Sequence, residues 1–299
     1  MNYWNINLES LPSKGMKYND VDKVRPSIKI RPLSLSNIKY LCTLNELNAV
    51  DMIDEVLSDC LKLTNLNFNE ILLADRSYLI FWLRVNSFIS SNGYEINLEC
   101  TKCKSPVKKT IKLSDLDLKY IEHLDDPCTM IDSSLLKGNV SFVMPTIGHK
   151  KIKCEDKEVE NILNYTDFAS FVPEDTDPVW MVLNLDALSY IHLNDVVNRG
   201  MYGIESVVYI NCGVCGQKMG IDLDLSDENM FNKLNLFDIL KTVLSVCRYT
   251  KFQIADDMSY TEIEVMQEVI KEMIKEEKED YEKQNNSLNS LTSKFGKSR

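Results

Sequence analysis

The sequence of 299 residues predicts an α+β protein made of two related lobes and a C-terminal amphipathic helix. Three observations support this class. Apolar residues recur every three or four positions in some segments and every second position in others, which predicts a mixture of helices and strands. Two Cys-x-x-Cys motifs each lie between segments of strand periodicity. The shift that places Cys100 on Cys212 also superposes Cys103 on Cys215 and much of the sequence around them.

The first lobe begins with Leu11-Pro12-Ser13-Lys14-Gly15, a composition typical of a turn. Ile28-Lys29-Ile30-Arg31 alternates apolar and polar residues up to Pro32, which predicts a strand. Ser36 is a candidate N-cap for a short helix that carries Ile38 and Leu41. The remaining predicted elements are a helix at 53–61, an apolar helix at 71–85, and hairpin strands around 94–98 and 107–113.

The second lobe repeats this order of elements. Residues 140–143 form a predicted strand that ends at Pro145, and residues 156–171 are predicted to be helical. A second apolar helical run covers residues 177–197. The last predicted elements are a strand at 207–210 that leads into Cys212 and a return strand at 219–225.

The common offset between the two Cys-x-x-Cys motifs, about 112 residues, predicts an internal duplication. Within the window 77–115, nine positions are identical to their counterparts, against roughly two from chance matching. The strand at 28–31 also falls on the strand at 140–143. The predicted domains are a first lobe at 1–125, a second lobe at 126–250, an acidic amphipathic helix at 251–285 and a flexible tail at 286–299.

Composition and charge exclude several classes of protein. Hydrophobic residues make up 44% of the chain and charged residues 26%, so a fibrous or wholly disordered chain is excluded. The net charge of −11 disfavours a general nucleic-acid binder. The densest basic cluster comprises Lys102, Lys104, Lys108, Lys109 and Lys112. No secretory signal and no membrane span is expected, so the protein is predicted to be intracellular, with no membrane partner.

Four cysteines form the sharpest candidate site. Cys100 with Cys103, and Cys212 with Cys215, form two knuckles between strands that together supply four thiolates for one structural zinc ion. The nine cysteines are an odd number without an export signal, which favours reduced thiols over disulfides. Gly213 and Gly216 permit the positive φ angles that a knuckle needs. A redox Cys-x-x-Cys and an iron–sulfur site are the alternatives, the former disfavoured by the flanking strands and the latter by the lack of any other redox signature.

The C-terminal segment is acidic and amphipathic. Residues 256–283 contain eleven acidic and four basic residues. Ile263, Met266, Ile270 and Met273 recur at helical spacing and form a candidate stripe for docking into a partner's groove. The alternative is an amphipathic helix that folds back on the body of the same chain.

No residue pattern indicates catalysis, and no small-molecule substrate is predicted. Ser189, His192 and Asp195 lie three apart along one helix, which is not the convergent geometry of a triad. Asp75 and Arg76 are interpreted as surface charges of a helix or as a pair that packs the lobes. Neither a phosphate-binding loop nor a hydrolase motif occurs.

Several of these segments together resemble the baseplate hub and assembly proteins of T-even phages (myoviruses). The resemblance rests on the turn at residues 11–15 followed by Tyr18, the strand at residues 28–33, the segment Asp75-Arg76-Ser77-Tyr78-Leu79, and Tyr94 leading to Cys100 and Cys103. It extends over roughly residues 8–250. The acidic helix is more loosely similar to the helical ends of tail assembly chaperones.

The resemblance implies a non-enzymatic structural or assembly protein of the hub region of a contractile tail baseplate. Its implied partners are other hub, wedge or tape-measure proteins. The implied location is the virion tail baseplate, with the host cytoplasm during assembly. Two alternatives remain open: a tail or tape-measure assembly chaperone that is absent from the mature virion, and a zinc-ribbon nucleic-acid-binding protein that uses the Lys102–Lys112 cluster.

Overall fold

The computed structural model describes residues 2–18, 25–45, 47–88, 94–121, 128–133, 135–149, 152–231 and 234–295. At positions 17, 94, 228 and 284–295 the description covers the backbone alone. The predicted lobe boundary at 125/126 and the last four residues of the predicted tail, 296–299, lie outside the described residues.

Helices and small antiparallel sheets alternate along the chain, which confirms the α+β class. The helices are α1 Leu35–Leu41, α2 Ala49–Cys60, α3 Leu73–Asn86, α4 Lys157–Tyr165, α5 Pro178–Leu183, α6 Ala187–Gly200, α7 Asp227–Phe231, α8 Leu236–Thr250 and α9 Tyr260–Phe295. The strands are β1 Trp4–Ile6, β2 Ser27–Ile30, β3 Leu61–Thr64, β4 Tyr94–Glu99, β5 Pro106–Ile111, β6 Leu118–Lys119, β7 Cys128–Asp132, β8 Lys137–Ser141, β9 Gly203–Ile204, β10 Val207–Asn211 and β11 Lys218–Asp222.

The strands form one three-stranded sheet and four two-stranded ones. β2 is the central strand between β1 and β3, and the predicted strand at 28–31 therefore exists. β4 with β5, β7 with β8, and β10 with β11 are antiparallel hairpins. The short strands β6 and β9 pair across the chain and link residue 118 to residue 204. β1 and β3 have no counterpart in the sequence prediction.

Helix α1 begins earlier in the chain than its predicted cap. Ser34, not Ser36, is the N-cap: its hydroxyl accepts a hydrogen bond from the Asn37 backbone N–H, while the Asn37 side chain accepts one from the Ser34 N–H. This reciprocal arrangement satisfies two N–H groups that a helix start otherwise leaves unpaired. Ser36 lies inside the helix, where its N–H donates to the Asp256 carbonyl across the chain.

The described residues form two hydrophobic cores. The main core joins residues 8–116 with residues 208–270, and a second core lies within residues 131–201. In the main core, α2 buries the apolar face that its three- and four-residue spacing predicts, and α3 is buried over most of its surface. The hairpin β10–β11 therefore packs with the first lobe, although the prediction groups it with residues 126–250. The predicted division into domains stays a prediction.

The second half departs from the sequence prediction at two helices. The predicted helix at 156–171 ends at Tyr165, and a 3-10 turn follows at Phe168–Phe171. The predicted helical run at 177–197 is two helices, because Asp186 caps a new one: its side chain accepts from the Ser189 N–H. Apolar periodicity continues across that break and therefore does not reveal it.

The duplication finds support only over the helix and hairpin of each half. At the offset that aligns the two Cys-x-x-Cys motifs, α3 falls close to α6, and β4–β5 falls on β10–β11. The strands at 28–31 and 140–143 do not correspond, since β2 lies in the three-stranded sheet and β8 in a separate hairpin with β7. A duplication of whole lobes is not confirmed.

Helix α9 is longer than predicted and lies partly within the main core. It runs to Phe295, past residue 285 where the prediction places its end. Ile263 and Ile270 are buried in the main core, and Tyr260 packs edge-on against the ring of Phe88. The first three turns of α9 are therefore part of the fold.

Candidate metal centre

The two Cys-x-x-Cys motifs converge at one point, although they lie far apart in the sequence. Cys100 Sγ lies 3.6 Å from Cys215 Sγ. Cys103 Sγ lies 3.6 Å from Cys212 Sγ. All four sulfurs lie within 4.8 Å of one another, and they form the metal-ligand cluster found among the described residues. The structure thus brings together the four residues that the sequence predicts as ligands.

Both knuckles have the same backbone geometry. The N–H of Cys100 donates to the Ser105 carbonyl, and the N–H of Lys104 donates to the Cys100 carbonyl. In the second knuckle, Cys212 and Gly216 make the equivalent two bonds. Each knuckle turns through one left-handed residue, Lys104 with φ 58° and Gly216 with φ 69°.

The glycine prediction for the second knuckle is therefore half right. Gly216 occupies the left-handed position, where glycine avoids the Cβ strain. Gly213 does not have a positive φ. Lys104 occupies the equivalent position of the first knuckle and has a positive φ although it carries a Cβ.

The spacing of the sulfurs fits a single tetrahedral ion. Zinc bound to four thiolates at about 2.3 Å places the sulfurs about 3.8 Å apart. The Cys100–Cys215 and Cys103–Cys212 sulfur distances, both 3.6 Å, agree with that separation. A disulfide instead requires a sulfur–sulfur distance of about 2.05 Å, and all nine cysteines are free thiols.

Local hydrogen bonds favour the thiolate form at two of the four cysteines. A hydrogen bond with the Ser105 hydroxyl lowers the pKa of Cys103 to about 6. Backbone N–H groups of Cys215 and Val214 lower the pKa of Cys212. A metal takes its cysteine ligands as thiolates, so these donors stabilise the state that binds.

Cys215 shows why the cluster needs a cation. The Gln217 backbone N–H lowers its pKa, but burial and the neighbouring sulfurs outweigh that bond and raise the pKa to about 12. Four thiolates within 4.8 Å repel one another unless a positive ion lies between them. The donor set therefore suits a metal ion better than four free thiols.

The position of the cluster in the fold gives a bound ion a structural role. Cys100 and Cys212 are buried in the main core, whereas Cys103 is exposed. The chain leaves this core after β6, builds the second core within residues 131–201, and returns through β9 and β10. An ion at the cluster would join the outgoing hairpin β4–β5 to the returning hairpin β10–β11.

Arg76 forms a second connection between the halves of the chain. Its guanidinium donates to Asp227 at 2.8 and 2.9 Å and also to Asp54. The arginine is 4% exposed, so α2, α3 and α7 meet around a buried charge. Of the two interpretations of Arg76, the packing pair is correct.

Asp75 is a core residue, not a surface charge. Its carboxylate accepts hydrogen bonds from the Ser13 N–H, the Ser13 hydroxyl and the Tyr18 hydroxyl. The Tyr18 oxygen in turn accepts from the Leu72 N–H at the start of α3. Burial raises the pKa of Asp75, while these donors lower it in part. The network joins the turn at residues 11–15 to α3, two segments whose contact no local sequence pattern indicates.

The predicted docking stripe on α9 needs correction. Ile263 and Ile270 are 0% and 6% exposed within the chain's own core, so the prediction is wrong for these two residues. Met266 is partly buried and packs against the same core. Met273, at 54% exposed, is the member of the stripe that faces solvent. The helix folds back because its first turns supply apolar surface that α8 and the main core bury.

The serine–histidine–aspartate series on α6 forms no catalytic site. The Ser189 hydroxyl donates to Asp186, which caps the helix. Asp195 pairs with Arg199 one turn further along. The Ser189 hydroxyl and the Asp195 carboxylate therefore bond to two different partners.

Residues 4–153 match the family described as T4 bacteriophage base plate protein. The chain belongs to this family. No curated protein and no solved structure matches the chain. The matched range contains the Ser13–Asp75–Tyr18 network and the first knuckle, whereas Cys212 and Cys215 lie beyond it.

Membership in the T4 base plate family confirms the resemblance drawn from the sequence. The family indicates a structural phage baseplate protein located in the virion tail, which interacts with other baseplate proteins and is not expected to be an enzyme. Within the described part of the chain, no helix combines the length and apolar character needed to cross a bilayer.

Proposed function

We propose that this chain is a non-enzymatic docking component of the hub region of a contractile tail baseplate, stiffened by one structural zinc ion. The observation that supports this function best is the convergence of four cysteines from two distant hairpins in a chain of the base plate family. A rigid, metal-fastened body suits a protein whose task is to hold neighbouring subunits in fixed geometry.

The proposed ligands of the zinc ion are Cys100, Cys103, Cys212 and Cys215. When bound, zinc supplies a closed tetrahedral centre with no open position for catalysis. The ion acts on folding, since binding energy at a site absent from the unfolded chain becomes folding energy. A cluster of several irons occupies a larger space than these sulfurs enclose, so a single ion fits the site better.

The zinc proposal is tested by substitution with a matched control. Cys100→Ser and Cys215→Ser should each lose the metal and lower Tm by about 10 °C or more, given the size of structural zinc contributions. Cys128→Ser is the control, because Cys128 is exposed on β7 and lies outside the cluster. Retained metal in either cluster variant would contradict shared ligation.

The proposed partners are hub, wedge or tape-measure proteins of the same tail, met in the host cytoplasm during assembly. The part of α9 that we propose for a partner begins at Met273. Truncation after Glu272 removes this part, should leave the buried turns of α9 at residues 260–270 intact, and should weaken capture of neighbouring baseplate proteins. Unchanged capture by the truncated chain would remove α9 from the interface.

The alternative of an assembly chaperone differs in where the protein ends up. Mass spectrometry of purified mature particles should detect this chain at a fixed ratio to other baseplate proteins. Its presence in assembly intermediates together with its absence from mature particles would favour the chaperone instead.

A further inference from the structure

The hairpins β4–β5 and β10–β11 border an open cleft beside the cysteine cluster. The cleft has a volume of about 550 Å3. β5 lines it with Pro106, Val107, Lys108 and Lys109, and β10 lines it with residues 208–211. Because consecutive residues of each strand reach the cleft, it runs along the strand edges and not along one face of a sheet.

The hydrogen-bond register shows which backbone groups of β10 point away from its partner. Leu223 N–H donates to the Ser206 carbonyl, and Cys212 N–H donates to the Gln217 carbonyl. In an antiparallel pair such bonded positions alternate with unbonded ones. Val207, Tyr209 and Asn211 therefore direct their N–H and C=O groups out of the hairpin.

The register of β5 likewise leaves alternate backbone groups pointing away from β4. Cys100 N–H donates to the Ser105 carbonyl, so position 105 is bonded to β4, and positions 106, 108 and 110 face outward. Pro106, which has no N–H, lies at the start of this edge, a placement typical of edge strands. In the described part of the chain, no backbone hydrogen bond joins β5 to β10, and each belongs to its own two-stranded sheet.

The walls of the cleft combine apolar and basic character. Val208 and Ile210 are buried beneath it, while Tyr209 is 58% exposed at its side. Lys108 and Lys109 lie along the β5 edge, with side chains 69% and 44% exposed, and contact Glu95 and Asp115, of which Asp115 also lines the cleft. The hairpin at 94–112 contains five lysines and two glutamates, a charge of +3 in a chain of −11.

We propose that this cleft binds an extended, acidic peptide segment of a neighbouring baseplate protein, which adds as a strand to the free edge of β10. Main-chain groups at positions 207, 209 and 211 would supply the backbone bonds of such an added strand. The lysines would select acidic side chains and, as on other exposed edges, discourage indiscriminate strand pairing. A second copy of the chain is a poorer occupant, because each of its described strands is already paired with another strand and is not a free extended segment.

This site deepens the proposed docking function and rests on it. The probe is a fluorescent peptide of eight residues that alternates valine and glutamate, titrated against the full chain with its metal. A peptide that alternates valine and lysine is the charge control. A third peptide, N-methylated at alternate residues, keeps the charge but cannot donate along one edge.

The valine–glutamate peptide should bind saturably, and the other two peptides should bind at least about tenfold more weakly. Joint Lys108→Glu and Lys109→Glu substitution should weaken binding about tenfold, whereas Lys62→Glu, an exposed lysine of β3, should change nothing. Tyr209→Pro removes one outward N–H without breaking the hairpin and should weaken binding about threefold to tenfold. Melting temperature and metal content show whether each variant is folded.

Amide hydrogen exchange gives a reading at each residue. In the free protein, Val208 and Ile210 should be protected, while Val207, Tyr209 and Asn211 should exchange fast. When the peptide is bound, amide exchange should slow at these three residues alone.

Three outcomes would overturn the proposal: no saturable binding of the valine–glutamate peptide, equal binding of the N-methylated peptide, or no change in exchange at β10. Salt-sensitive binding of single-stranded DNA in place of the peptide would assign the lysines to nucleic acid. Concentration-dependent dimerisation that blocks the peptide would assign the edge to a second copy. None of these outcomes alters whether the chain occurs in mature particles, so the proposed function and this site fail separately.

Discussion

Replacing Asp227 by asparagine should destabilise the protein because it leaves part of a buried charge uncompensated. The Arg76 side chain is 5% exposed, and Asp227 at 17% provides two of its three ion-pair bonds. Breaking a buried pair from one side costs about 3–5 kcal/mol. Asparagine keeps one acceptor and Asp54 remains, so we expect about 2–3 kcal/mol, or a fall in Tm of roughly 5–10 °C.

The measurement is denaturant unfolding followed by circular dichroism, with thermal scans as a second reading. The control is Asp256→Asn, which breaks the exposed pair between Asp256 and Lys39 and should cost less than about 1 kcal/mol. Equal losses for the two variants would refute the argument that burial gives the Arg76 pair its strength. A double-mutant cycle that combines Asp227→Asn with Arg76→Met should show that most of the lost free energy of unfolding comes from the interaction between these two residues.

Three further predictions follow from other parts of the fold. Burial raises the pKa of Asp75, so its carboxyl group keeps a proton to higher pH in the folded state than in the unfolded chain. The free energy of unfolding of the native protein should therefore fall relative to that of Asp75→Asn as pH rises above about 4. A constant difference in unfolding free energy between the two proteins from about pH 3 to 8 would contradict this. Gly216→Ala should cost about 1 kcal/mol from its positive φ, while Gly213→Ala, with equally open space, should be neutral by the same unfolding assay. Ile270→Ala should cost about 2–4 kcal/mol as a core truncation, whereas Met273→Ala should stay within about 0.5 kcal/mol, and a reversed order would mean that α9 packs by its other face.

The sequence was most informative where local spacing determines the chemistry. A Cys-x-x-Cys between two strand-patterned segments implies a knuckle, and two of them imply one four-thiolate site. The same is true of α2, whose apolar face follows from a spacing of three and four residues. These elements depend on neighbours within a few positions, so a single sequence contains the information.

Sequence reasoning was least informative for residues whose burial depends on partners that are distant in the sequence. Asp75 looks like a surface charge, and the sequence could not decide between two interpretations of Arg76, because their partners Ser13, Asp54 and Asp227 lie far away in the sequence. Burial of either residue is possible only once all of these groups meet. Apolar periodicity alone likewise could not show that the first turns of α9 pack against their own chain.

The sequence pattern likewise does not show which core each hairpin packs against. The offset that places Cys100 on Cys212 relates β4–β5 to β10–β11, which favoured one knuckle for each lobe. In the structure both hairpins pack on the main core, and the second core forms between them in sequence. Similar sequence patterns identify similar local units but do not determine which core each unit joins.

The central claim is that two hairpins separated by a whole second core share one metal ion through four sulfurs. Elemental analysis of the purified chain combined with X-ray absorption at the metal edge tests it most directly. We predict one zinc ion per chain with four sulfur neighbours at about 2.3 Å. A metal-free chain that is fully folded, or an ion with only two sulfur neighbours, would contradict the account.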